Sequence, residues 1–292
     1  MADPTVRPPA SGVDSFVVVK PDAEAAGLTG AISDYWRAFG YRVEDLGTRR
    51  LTRQDVFRLG TLSSRRAAPV KHEFNAQYLT SGPVRTLMIE GPDAIRAGVS
   101  LKTTFRQNVD ASELFSLMHT PADDEEYSRQ IAVLHDEPAG PEEEARELTE
   151  DEVASRCLLD RDTLGALVTE ELRALPARRA AGEAGVVPAE LDAAPYDQYF
   201  GIVIWDDTKH SVDDFAAIVR EELPELRADW AVRVALRIKA LLPVPVAVRR
   251  APDAGRTWQE LTNRHELRAS LVRVTEQETA ALRAVRVEGN DR

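Results

Sequence analysis

The sequence predicts an α+β fold in two parts, on three observations. Short valine-rich apolar runs alternate with stretches whose apolar residues recur at helical spacing. A Pro- and Glu-rich stretch, Glu137 to Glu147, interrupts that pattern near the middle of the 292 residues. The charge also changes there: residues 1–135 hold 16 basic and 17 acidic side chains, and the rest of the chain carries 11 of the net −12.

The elements follow in order. Ser15-Phe-Val-Val-Val-Lys20 has the valine density of a buried strand, ended by Pro21-Asp22. Leu28 to Phe39 repeats its apolar residues at helical spacing and closes on Gly40 as a C-terminal cap. Tyr41 to Leu51 alternates and reads as a second strand, and Val56 to Tyr78 as helix in pieces. Arg85 to Glu90 is a third strand, after which Pro92-Asp93 open a short helix ending near Gly98. Leu114 to Met118 is a fourth strand and Asp123 to Leu134 a helix. The order β-α-β, helical excursion, β-α-β predicts the split βαβ arrangement, an antiparallel sheet with helices on one face.

In the second half, Thr149 with Glu152 forms a capping box that starts a helix running to about Leu175. Ala177 to Ala194 is rich in small residues and reads as a linker. Tyr199 to Trp205 is a strand, and Ser211 with Asp214 caps a helix from Val212 to Glu222. Trp230 to Leu242 fits helix by periodicity and strand by its branched residues; Pro243 to Arg249 is extended and Thr257 to Leu267 helical. The expected organisation is a disordered lead-in at 1–12, an α+β domain at 13–136, an acidic helical linker region at 137–196 and a second α+β domain at 197–292.

Composition narrows the function. The negative charge disfavours nucleic acid and acidic lipid as partners, and the near-neutral first half could still hold an anionic ligand. No run of about 18 apolar residues predicts a membrane span. An N-terminus without an apolar run and a lone cysteine, Cys157, suit a reducing, cytoplasmic setting.

Three motifs in order carry a family resemblance. Val19-Lys20-Pro21-Asp22-Ala23 ends the first strand; Tyr78-Leu-Thr-Ser-Gly-Pro-Val84 runs into Met88-Ile-Glu90-Gly91; Met118-His119 closes the fourth strand before an acidic helix. From Phe16 to Leu134 the chain resembles the nucleoside diphosphate kinases, with their IKPD, Y-x-x-SGPV…EG and histidine segments. The resemblance implies a ferredoxin-like domain in which His119 takes the γ-phosphoryl of ATP or another nucleoside triphosphate, with Mg²⁺, and passes it on. It implies Lys20 and Arg106, 13 residues before His119, as phosphate-binding cations. A neutral imidazole can attack a phosphoryl group, and positioning with charge neutralisation supplies most of the catalysis.

The chain departs from the family in places. The loop before Arg106 is shorter, Val99 stands where a further arginine would be, and Lys102, Thr103 and Thr104 are the nearest substitutes. Pro121 replaces a hydroxyl, Ser116 an asparagine, and Gln130 the glutamate that orients the histidine. Because a carboxylate fixes the imidazole tautomer and supports the cationic phospho-form, Gln130 should weaken the usual activity; Glu125 and Glu126 are the possible substitutes. The acceptor is expected to be a nucleoside diphosphate or a specialised small molecule, and the shortened loop, which serves hexamer formation in the family, predicts a homodimer. The high Ala, Arg and Glu usage suits a GC-rich bacterium and, by extension, specialised metabolism.

Two other readings compete: a nucleotide-binding or scaffolding domain that has lost turnover, and a main activity housed in the second half. Asp206-Asp207 offers the oxygen donors Mg²⁺ prefers, but paired acids after a strand are ordinarily a solvated turn, and no metal site is assigned. The acidic run Asp123 to Glu126 suits a helix first turn, and Cys157 is expected to be buried and inert.

Overall fold

The computed structural model describes residues 14–59, 68–109, 112, 114–135, 148–181, 198–240 and 243–278. The lead-in at 1–12, the boundary at 137–147 and most of the small-residue linker lie outside the described residues. The chain divides into two compact units, one of Met1–Arg66 with His72–Leu148 and one of Ala67–Lys71 with Thr149–Arg292. No helix among the described residues is long and apolar enough to cross a membrane.

The first unit runs β1 (Asp14–Val19), α1 (Pro21–Ala25), α2 (Thr29–Ala38), β2 (Arg42–Arg49), α3 (Arg53–Arg58), α4 (Pro69–Thr80, from His72 onward), β3 (Val84–Glu90), α5 (Ala94–Asn108), β4 (Met118–His119) and α6 (Asp124–Leu134). Its sheet has the order β2-β3-β1-β4, antiparallel at every pairing. β3 lies between β1 and β2, which is the split βαβ connection of a ferredoxin-like α+β fold.

Helices cover both faces of this sheet, which corrects the expected single face. Phe16 and Val18 of β1 pack with Val56, Leu79 and Val133 from α3, α4 and α6. Val17 and Val19 point the other way, to Ile32 and Trp36 of α2 and Ala94 and Phe105 of α5. A strand buried on both faces reads as a continuous apolar run, as the valines of β1 do.

Three local expectations also change. α5 does not stop at Gly98 but continues to Asn108. Gly98 is instead a packing position, where a Cβ would meet Trp36 Cη2 at 3.3 Å. Lys102, Thr103 and Thr104 therefore lie on a helix rather than in a loop. The fourth strand begins only at Met118, because Leu117 has φ 59° and the Met118 N–H donates to Ser116 O at 2.6 Å, ending the extended path.

The second unit runs α7 (Glu150–Cys157), α8 (Arg161–Ala181), β5 (Tyr199–Ile204), α9 (Val212–Glu222), α10 (Ala228–Ala240), β6 (Val244–Arg250), α11 (Ala251–Gln259), a π-helical turn (Glu260–Arg264) and β7 (Ala269–Arg273). Its antiparallel sheet has the order β6-β5-β7. Both predicted capping boxes form, Thr149 with Glu152 and Ser211 with Asp214. The helix expected to run from Thr149 to about Leu175 is two: Leu158 at φ 55° breaks it, and α8 then passes through Pro176 to Ala181. Trp230 to Ala240 resolves as helix, its buried residues spread along α10.

Candidate active site around His119

β4 holds His119 beside β1, opposite Val18. The segment carrying it is gripped from three sides. Lys20, at the end of β1, donates to Ser116 Oγ at 2.5 Å. Arg106, on the last turn of α5, donates Nε to Ser116 O at 2.8 Å and Nη2 to Met118 O. Lys102, one turn earlier on α5, donates to Thr120 O at 3.3 Å. Three cations from two elements thus converge on residues 116–120.

Their charge acts on the imidazole. Burial first, then Lys102, with lesser effects from Lys20 and Arg106, push the His119 pKa down to about 3, against a Gln130 hydrogen bond that favours the proton. The histidine is neutral at physiological pH, the form in which a ring nitrogen has a lone pair to attack with. Burial and the neighbouring Arg106 push the Lys102 ammonium down to about 8. Such crowding of positive charge is what an anion would relieve.

On the far side of the ring, α6 supplies a polar floor. Gln130 is fully buried, with its Oε1 2.8 Å from His119 Nε2. Its Nε2 donates to Leu59 O at 2.5 Å and to Glu126 Oε1 at 2.7 Å. Glu126 Oε1 also lies 3.6 Å from His119 Nε2, and its Oε2 accepts the Ala122 N–H at 2.6 Å. Glu126 is therefore one of the substitutes that reaches. Asp123, at the head of the acidic run, caps α6 by accepting the Glu126 N–H at 2.7 Å.

Of the residues singled out from sequence, His119, Lys20, Arg106 and Lys102 come together. Thr103 does not join them: it is exposed, and its hydroxyl donates back to Val99 O within α5 at 2.8 Å. Asp22 and Tyr78 are additions; the Tyr78 hydroxyl donates to Asp22 Oδ1, and Lys20 Nζ lies 5.4 Å from the Tyr78 ring centre. Burial raises the Tyr78 pKa well above the usual phenol value, with the Asp22 carboxylate adding to it, so this phenol stays protonated as a donor. Pro21 meets Gly82, where a Cβ would approach to 3.1 Å, so two of the sequence motifs are in direct contact.

No protein-family model matches the chain, and no curated protein does. Solved structures do match part of it. The Aquifex aeolicus nucleoside diphosphate kinase aligns at 21% identity over 42% of this chain and 94% of that one, with a TM-score of 0.37. An NDP kinase from Pyrobaculum aerophilum aligns at 18% identity over 46% and 99%, also with a TM-score of 0.37. A nucleoside diphosphate kinase family protein from Babesia bovis aligns at 21% over 41% and 86%, with a TM-score of 0.35.

Several acidic groups of the second unit meet cations or histidines of the same unit. Asp206 accepts from Lys239 Nζ at 2.7 Å, and that ammonium, fully buried, also donates to the carbonyls of Asp207 and His210 at 2.9 Å each. The Asp207 carboxylate faces His210 Nδ1 at 2.9 Å. Glu221, Glu222 and His265 bring donor atoms within 4.8 Å of one another, and Arg264 pairs with both carboxylates, at 2.5 and 3.3 Å. Cys157 is buried, and burial with nearby Asp213 pushes its thiol up to about 12, far from a reactive thiolate.

Proposed function

We propose that the first unit is a phosphotransferase, which moves the γ-phosphoryl of a nucleoside triphosphate through a phosphohistidine at residue 119 to a nucleoside diphosphate or a specialised small-molecule acceptor. The observation that supports it most is a neutral imidazole set among Lys20, Lys102 and Arg106. In the reading, the free ring nitrogen forms an N–P bond as the bond from phosphorus to the bridging oxygen breaks, and the leaving diphosphate keeps the electron pair. The three cations offset the charge on the phosphoryl oxygens, and Mg²⁺ entering with the nucleotide supplies further neutralisation. The acceptor then takes the phosphoryl from nitrogen, which restores the neutral ring. We place the activity in a homodimer; a hexamer by light scattering would count against that assembly.

A second reading, nucleotide binding without turnover, is favoured by one feature: a neutral amide, Gln130, rather than a carboxylate meets His119 Nε2. One experiment separates the two. The full chain and its His119→Ala variant are incubated with γ-labelled ATP and Mg²⁺, and acid-labile, base-stable label is measured. Label present in the first and absent in the second supports transfer. ATP bound without label supports the binding domain, and neither binding nor label sinks both.

A further inference from the structure

We infer that Glu126 is the positioning residue for His119: its carboxylate, acting through the Gln130 amide and across a short gap to the ring, keeps the proton on Nε2. The use of this arrangement in catalysis rests on the phosphotransfer reading; its existence does not.

The argument begins with Gln130. Its amide nitrogen points at two oxygens, Leu59 O at 2.5 Å and Glu126 Oε1 at 2.7 Å, and so uses both of its hydrogens. The reversed amide would set its oxygen against a carbonyl and a carboxylate in a buried place, which no donor there would relieve. The orientation is therefore forced, and the atom 2.8 Å from His119 Nε2 is an amide oxygen. An amide oxygen can only accept, so Nε2 carries the hydrogen and the lone pair is on Nδ1.

Glu126 gives this chain its negative end. Its Oε1 is 3.6 Å from Nε2, inside ion-pair range though too long for a hydrogen bond. The Ala122 N–H holds the other oxygen at 2.6 Å, and Asp123 fixes the Glu126 backbone, so the carboxylate cannot swing away cheaply. The charged groups facing the ring from β1 and α5, Lys20, Lys102 and Arg106, all oppose a proton on it. Glu126 opposes them from α6. When Nδ1 gains a phosphoryl group while Nε2 keeps its hydrogen, the ring becomes cationic, and the carboxylate 3.6 Å away stabilises that charge. Gln130 thus supplies the acceptor and Glu126 the charge, a division of one task between residues spaced i, i+4 on α6.

The test compares wild type, Glu126→Gln, Gln130→Leu and the exchange variant Glu126→Gln/Gln130→Glu. Nitrogen-15 spectra of the histidine ring at pH 7 read the tautomer without any nucleotide. Wild type should show Nε2–H at His119; Gln130→Leu should show a mixed population, and Glu126→Gln a shift in the same direction. The exchange variant sets a carboxylate against Nε2 and should return to Nε2–H, at some cost in stability because Leu59 O loses its donor. Labelling by γ-labelled ATP should fall about tenfold in Glu126→Gln, the loss of roughly one charge-assisted hydrogen bond, and recover in the exchange variant. An Nδ1–H tautomer in wild type, or spectra unchanged in both single variants, overturns the inference. Absence of label in wild type alongside the expected spectra would sink the phosphotransfer reading and leave the positioning role of Glu126 standing.

Discussion

Both units bury cations, and they satisfy them in opposite ways. In the second unit, Glu171 on α8, almost fully buried, accepts from Arg233 at 2.9 Å and from Arg237 at 2.8 Å on α10, and Lys239 meets Asp206. Of these, Arg233 is held in its charged form: hydrogen bonding to Glu170 raises its pKa, with Glu171 adding to it. In the first unit, Lys20, Lys102 and Arg106 donate to a hydroxyl and to backbone carbonyls around His119, and Lys102 is pushed down. Charge answered from within holds a fold together. In the first unit Lys102 is pushed down by burial and by Arg106 beside it, which singles it out as a candidate ligand-binding cation.

The largest expected effect breaks the closed network. Glu171→Ala takes the carboxylate from the buried Arg237 guanidinium, while Arg233 keeps Glu170 at 2.7 Å, and should cost about 3–5 kcal/mol, read by urea unfolding. A loss below 1 kcal/mol would mean that the network contributes little.

Next, Lys102→Met should do the reverse. ATP labelling should fall about a hundredfold with one transition-state cation gone, while stability changes by less than about 0.5 kcal/mol because the ammonium is held under strain. A large loss of stability would put Lys102 in the same class as Arg237.

The pH dependence has a defined sign. His119 binds a proton near pH 6.5 when unfolded and only near pH 3 when folded. Above pH 6.5 neither state is protonated and nothing is lost; below it the unfolded state alone gains the proton, so stability declines as pH falls towards 3. The decline should reach about 2 kcal/mol by pH 5, and a His119→Gln variant should lack that share of it. Labelling should show no limb near pH 6.5, since the ring stays neutral. The smallest effect is ligand-linked: inorganic phosphate at about ten times its Kd should add roughly 1.4 kcal/mol of stability to wild type and much less to Lys102→Met.

Much of this was legible from residue order. The valines of β1 and the capping boxes were each visible in short windows. The three motifs divide once seen in space. Pro21 against Gly82, and Gly91 at φ 158° with the Tyr41 ring where a Cβ would be, secure the chain's path. The proposed chemistry falls to the histidine segment and its cations. Glu126 was visible as one of four acids in a helix first turn, where the macrodipole alone explains it. Its approach to His119 depends on β4 and α6 being packed on the same strand, which spacing does not encode. Gly98 was misread for a similar reason: a glycine that ends a helix and one that lets Trp36 approach look identical in sequence.

By itself, then, the sequence determined the α+β class of the first unit and the order of its strands, and through the family resemblance it offered the histidine and its cations as candidates. The class and the strand order depend on local periodicity and caps, which are properties of short segments. The tertiary structure decided that both sheet faces are covered, that β4 is two residues long, and that Thr103 faces away from the site. It also decided that the Glu126 carboxylate lies 3.6 Å from His119 Nε2. Each of these is a contact between segments far apart in the chain, set by which side chains a packed core brings within a few ångströms.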